Sequence, residues 1–173
     1  MNTSILTSGD YPAFSQPYIS ALGDADLMET MGRQLHNFPE FLESIPDAKW
    51  YFAYAREKWT IAEVILHIID AERIFQYRAL RIARKDQTPL AGFDQDAYVP
   101  NSYAGQRTRK SITEEYKAVR QATLSLFETF DDEVLRRRGT ASNSPVTVGA
   151  LGFIICGHQK HHRNIIRERY LKP

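Results

Sequence analysis

A chain of 173 residues, 43% hydrophobic and 25% charged, fits one globular domain with a substantial core and excludes a disordered tail or a collagen-like repeat. Its net charge of +1, from 22 basic and 21 acidic residues, gives no general electrostatic reason to expect nucleic acid or membrane as a partner, and no apolar run approaches spanning length. The lone Cys156 excludes an internal disulfide, and without a secretory leader pattern the expected compartment is the cytoplasm.

Helical periodicity recurs along the chain while strand-type alternation is scarce, so the expected class is all-α. The first helix is expected from about Asp24 to Ser44, with Leu27, Met31, Leu35, Phe38 and Leu42 on one stripe and a break or kink at Pro39. His36 has no partner at helical spacing and is expected at the surface or in helix packing. The connection "IPDAKWYFAYAREKW" carries Trp50, Tyr51, Phe52, Tyr54 and Trp59, too many aromatics to leave in water, and should pack on the bundle.

The clearest start signal belongs to the second helix, where Thr60 and Glu63 form a T-x-x-E capping box with Trp59 and Val64 placed as its hydrophobic staple. This helix should end near Lys85. Ser111 and Glu114 repeat the signal for a third, running through Tyr116, Val119, Thr123, Leu126, Phe127 and Phe130. The Arg136–Arg138 run and the following "TASNSP" read as a solvated loop rather than a phosphate patch. Thr147 is the expected N-cap of a fourth helix that reaches about Leu171.

Four such helices make one bundle in a single domain spanning residues 1–173. Residues 86–110 form a connection of about 25 residues, too long for a turn between antiparallel neighbours. A crossover between the second and third helices lets them run parallel and gives an up-down-down-up order. Because the crossover must arrive at the end of the bundle where the second helix begins, residues from Phe93 to Tyr103 are expected to line or lid the functional site near His67.

Three of the five histidines fall in "GHQKHH". On a helical wheel His158 and His162 lie within about 40° of each other inside the stripe of Leu151, Ile154, Ile155 and Ile165, while His161 sits at its margin. Cys156 points to the other side, and Gln159 and Lys160 are expected to face outward. Spacing alone does not choose cleanly between His161 and His162, although an i,i+4 pair is the usual way for one helix to offer two imidazoles to one ion. His67, on the apolar face of the second helix, also points inward. It lies roughly 10 Å from the start of its helix and His162 roughly 14 Å from the end of the fourth, so antiparallel packing would bring the levels together. Three neutral imidazoles in an apolar bundle are a standard set for zinc or nickel. Asp70 is the remaining carboxylate suited to proton transfer, with a surface ion pair as its ordinary alternative.

The stretches "KWTIAEVILHIIDAERIFQYR" and "GHQKHHRNIIRERY" resemble the "W-[ST]-x-x-E-[VIL]-x-x-H" and closing "H-x-x-H-H-R" segments of the DinB/YfiT-like superfamily, and the likeness extends over nearly the whole chain. The resemblance implies an up-down-down-up bundle, commonly a homodimer, with a divalent metal on His67, His158 and His162 and with His161 as a non-ligand. It also implies a small-molecule substrate. The expected activity is transfer of a low-molecular-weight thiol to an electrophile, with metal-dependent hydrolysis and a non-catalytic metal-binding or dimerisation module as alternatives. An ion held by neutral ligands keeps its charge, and so acidifies a bound water or a thiol of ordinary pKa about 8.5.

Overall fold

The computed structural model describes residues 1–172. In chain order its elements are α1 (Gln16–Leu22), α2 (Leu27–Glu43), α3 (Ile61–Ala83), the short α4 (Gln95–Tyr98), α5 (Arg109–Phe127), α6 (Asp132–Leu135), the hairpin β1 (Arg138–Ala141) and β2 (Ser144–Thr147), and α7 (Val148–Ile165). The four long helices α2, α3, α5 and α7 pack side by side, and α1 lies along α7. No described helix is long and apolar enough to cross a membrane.

Local chemistry sets most boundaries. The Asp26 carboxylate accepts the Glu29 amide at 3.0 Å, so α2 begins at Leu27, slightly later than expected. The helix then runs unbroken through Pro39. Burial of Phe38, Phe41 and Leu42 around the proline outweighs the lost amide. The capping box of α3 forms as read: Thr60 Oγ1 accepts from the Glu63 amide at 3.3 Å and Glu63 Oε2 accepts from the Thr60 amide at 2.7 Å.

In α5 the cap is Thr108 rather than Ser111; Thr108 Oγ1 takes the Ser111 amide at 3.2 Å. Ser111 is inside the first turn, where its hydroxyl accepts from Arg107 at 2.7 Å. Thr147 caps α7 through the Ala150 amide at 3.2 Å. A π-helical turn, Ile166–Tyr170, carries that helix to within a residue of its expected end.

The hairpin replaces the expected loop. Ser142 and Asn143 turn the chain at φ of 50° and 59°, the left-handed pair that suits the twist of a two-residue hairpin turn. The backbone around Leu90 joins it, through bonds of 2.9 Å to the Thr140 carbonyl and from the Ser142 amide, so the crossover is pinned to the hairpin at its start. Of the connection rich in aromatics, Trp50 is buried and Trp59 packs on the core, whereas Tyr51, Phe52 and Tyr54 stay exposed. His36 is exposed, in line with its surface reading.

The apolar interior divides into two clusters. One gathers Leu27, Met31, Ile82, Phe127 and Phe153, the other Phe38, Leu42, Ile65, Tyr116 and Ile166. Between them the long helices contribute polar side chains. Arg120, wholly buried, gives Nε and Nη2 to the two carboxylate oxygens of Glu72 at 2.7 and 2.8 Å and Nη1 to Gln34 Oε1 at 2.7 Å. Thr123 donates to Glu72 at 2.8 Å, and Gln34 donates to the Cys156 carbonyl at 2.9 Å.

Candidate metal centre

His67 and His158 meet because the head of α3 lies against the tail of α7. The Tyr170 hydroxyl donates to the Trp59 carbonyl at 2.8 Å at one end, and Arg137 donates to the Ala83 carbonyl at 2.6 Å at the other. The His158 Nε2 lies 3.0 Å from His67 Nε2 and 3.1 Å from His162 Nε2. Ligand atoms of the three residues all fall within 4.8 Å of one another. Around an ion with metal–nitrogen distances of about 2.05 Å, adjacent nitrogens are about 2.9 Å apart at right angles and about 3.3 Å apart in a tetrahedron. The two spacings to His158 fall in that interval.

Hydrogen bonding among the rings cannot account for this convergence. A neutral imidazole nitrogen carries either one proton or one lone pair, so His158 Nε2 can complete one good bond and not two. A cation on three lone pairs resolves the conflict. The rings are also held neutral. Burial brings His67 down to about 4 despite an opposing contribution from Asp96, and burial together with His67 and His161 brings His162 down to about 3. His158 is also held well below the ordinary imidazole value, by burial first and then by the three neighbouring imidazoles. Neutral imidazole is the form that binds metal.

Aromatic rings stand against two of the three imidazoles. The Tyr18 ring stands edge-on to His158 at 5.3 Å, and Trp59 lies 5.0 Å from His67. Gly157 makes the first contact possible, since a Cβ there would sit 2.2 Å from the Tyr18 carbonyl oxygen. A pocket of about 520 Å³ opens beside His162, with Tyr54, the same Trp59 and Tyr170 as aromatic walls and Glu57, Lys58 and Asp96 as charged ones.

The other candidate residues separate clearly. His161 stays outside the convergent group, set against the Tyr18 ring at 5.3 Å. Cys156 is buried on the far side of α7. Asp70 lies 3.5 Å from Arg73, which also binds Glu115 at 2.6 Å, so it belongs to an ion-pair cluster along α3 and α5. Within the expected crossover stretch it is Asp96 that reaches the pocket; Phe93 packs against Tyr98 and Arg78 instead, and Tyr103 is exposed. Gln159, expected to face outward, is 1% exposed, because α2 and the turn before it cover that side of α7.

A family model described as the DinB superfamily matches residues 30–166. The chain belongs to the DinB superfamily. This DinB-superfamily chain is similar in structure to YfiT from Bacillus subtilis, described as "a probable metal-dependent hydrolase with an unusual four-helix bundle topology", with a TM-score of 0.71 and 15% identity over 94% of this chain and 89% of that one. At that identity the likeness speaks for the fold. No curated protein matches the sequence.

Proposed function

We propose that this DinB-superfamily chain is a metal-dependent enzyme acting on a small molecule, with a divalent ion, zinc or nickel, held by His67, His158 and His162. The observation that carries the reading is the meeting of three Nε2 atoms that cannot satisfy one another, at 3.0 and 3.1 Å. When bound, such an ion supplies Lewis acidity and lowers the pKa of a water or thiol towards neutrality. We also infer an up-down-down-up order for α2, α3, α5 and α7, supported by which helix ends meet.

Hydrolysis is the reaction that the site's chemistry favours. Asp96 stands on the pocket wall close enough to influence His67, and a carboxylate there can take the proton of an attacking water. Trp59, Tyr54 and Tyr170 offer apolar surface for the substrate body, and Lys58 a positive charge for an acidic substituent. YfiT's description as a probable metal-dependent hydrolase agrees with this reading. Transfer of a low-molecular-weight thiol to an electrophile is the second reading, favoured by a pocket of about 520 Å³ that has room for two small reactants.

The test has two stages. Elemental analysis of purified protein should find about one zinc or nickel per chain, lost in His67→Ala and His158→Ala; metal-free protein that takes up no ion would overturn the assignment. Ester and amide substrates are then compared with a thiol plus a chlorodinitrobenzene-type electrophile. Turnover of the first set that falls in Asp96→Asn supports hydrolysis, and turnover of the second alone supports transfer.

A further inference from the structure

A second cavity, of about 190 Å³, lies between α2, the α1–α2 turn and the last turns of α7. It is separate from the triad, because Gln159 and Arg163 project about 100° and 140° around α7 from His158. Its polar lining is one-sided. Arg33, Lys160 and Arg163 contribute three cationic side chains, and no carboxylate lines it among the described residues. Of the three, Arg33 alone has a carboxylate partner among the described residues, Glu29 at 3.3 Å on the exposed side.

Gln159 is the decisive residue. It is 1% exposed, yet neither its amide nitrogen nor its carbonyl oxygen has a hydrogen-bond partner. Arg163 Nε is likewise buried and unpartnered. Buried donors are almost always satisfied in native proteins, because leaving one unpaired forfeits its hydration. The neighbouring carboxamide Gln34 shows the contrast, since both its side-chain atoms are bonded, to Arg120 and to the Cys156 carbonyl. The free donors at 159 and 163 therefore face the cavity with no acceptor from the protein, beside an excess of positive charge.

We propose that this cavity binds a small oxyanion, the carboxylate or phosphate group of a small molecule, with Gln159 Nε2 and the Arg163 guanidinium as its donors. Guanidinium pairs with such groups through a planar fork of N–H bonds, which a lysine cannot reproduce. Leu22, Ala25 and Phe38 supply apolar surface at the same cavity for a short carbon skeleton. The volume limits the ligand to a few heavy atoms beyond its charged group.

The experiment titrates inorganic phosphate and, separately, malonate into the full-length protein, followed by amide chemical shifts and by thermal denaturation. Saturable shifts confined to residues 30–37 and 159–163 are expected, and the ligand that saturates at the lower concentration identifies carboxylate or phosphate as the preferred group. Arg163→Lys should weaken binding about tenfold or more. Gln159→Met, which keeps the shape and removes the orphan amide, should fold at least as stably and lose the anion-induced rise in Tm. His67→Ala should bind the anion as the wild type does, so a failed metal assignment leaves this proposal standing. No saturable shift with either anion, or equal affinity in Arg163→Lys and Gln159→Met, would overturn it.

Discussion

Two groups of buried polar side chains interrupt the apolar interior, and they differ in how their hydrogen-bonding capacity is used. In the first, around Arg120 and Glu72, donors meet acceptors: the guanidinium binds both carboxylate oxygens and Gln34, and Thr123 adds a further donor. In the second, His67, His158 and His162, three like nitrogens face one another. The first group is complete within the protein and fixes how α2, α3 and α5 sit together. The second is not complete within the protein, could hold a cation, and borders a pocket. Closure marks a structural role and incompleteness a functional one.

The strongest challenge to that distinction is to remove one side of the closed group. Arg120→Met leaves Glu72 buried and unpaired and should cost about 3–5 kcal/mol, read from urea denaturation. The paired change Arg120→Met with Glu72→Met should recover most of that loss, because no charge is then stranded. If Arg120→Met costs under about 1 kcal/mol, the cluster does not organise the core.

The incomplete group should respond to metal instead. At a zinc concentration of about 100 times Kd the wild type should gain about 2.7 kcal/mol, and His158→Leu should gain nothing while its metal-free form stays within about 1 kcal/mol of the metal-free wild type. Metal-free stability should also depend on acid. Well above pH 6.5 the His67 and His162 imidazoles are neutral folded or unfolded. As pH falls below 6.5 the unfolded chain takes up protons that folded His67 and His162 resist down to about 4 and about 3, so stability is lost progressively across that window. Urea midpoints at pH 7, 6 and 5 should fall in that order; a flat series would show the rings to be solvated. The smallest expected effect is on His67 itself. Asp96 raises its pKa, so Asp96→Asn should move the imidazole titration of metal-free protein further down, as followed by NMR.

Much of the open group was legible in the sequence. The i,i+4 pair on an apolar stripe, the capping box at Thr60 and Glu63, and the matched heights of His67 and His162 are all local or periodic signals. Spacing left His161 and His162 both open, with the i,i+4 habit and the family resemblance favouring His162, and the geometry brings His162 into the group. The closed group was not legible. Arg120 and Glu72 are 48 residues apart, and an arginine among polar residues on a helix reads as a solvated face until another helix covers it. Gln159 misled for the same reason: its exposure depends on α2. The hairpin escaped because Ser142 and Asn143 take left-handed backbone without the Asn-Gly pair that usually announces such a turn. Pro39 shows packing overriding a correct local rule.

The contact between Gly157 and Tyr18 has an architectural consequence. The family match begins at residue 30, whereas Tyr18 belongs to α1, before that boundary. A helix outside the matched region thus forms the rear wall of the His158 ring, through a backbone approach that no residue larger than glycine at 157 would tolerate. The three converging histidines and the wall behind them are supplied by different segments. Changes in α1 can therefore retune the polarity around His158 while all three histidines stay in place, making this short helix an adjustable part on an otherwise fixed frame.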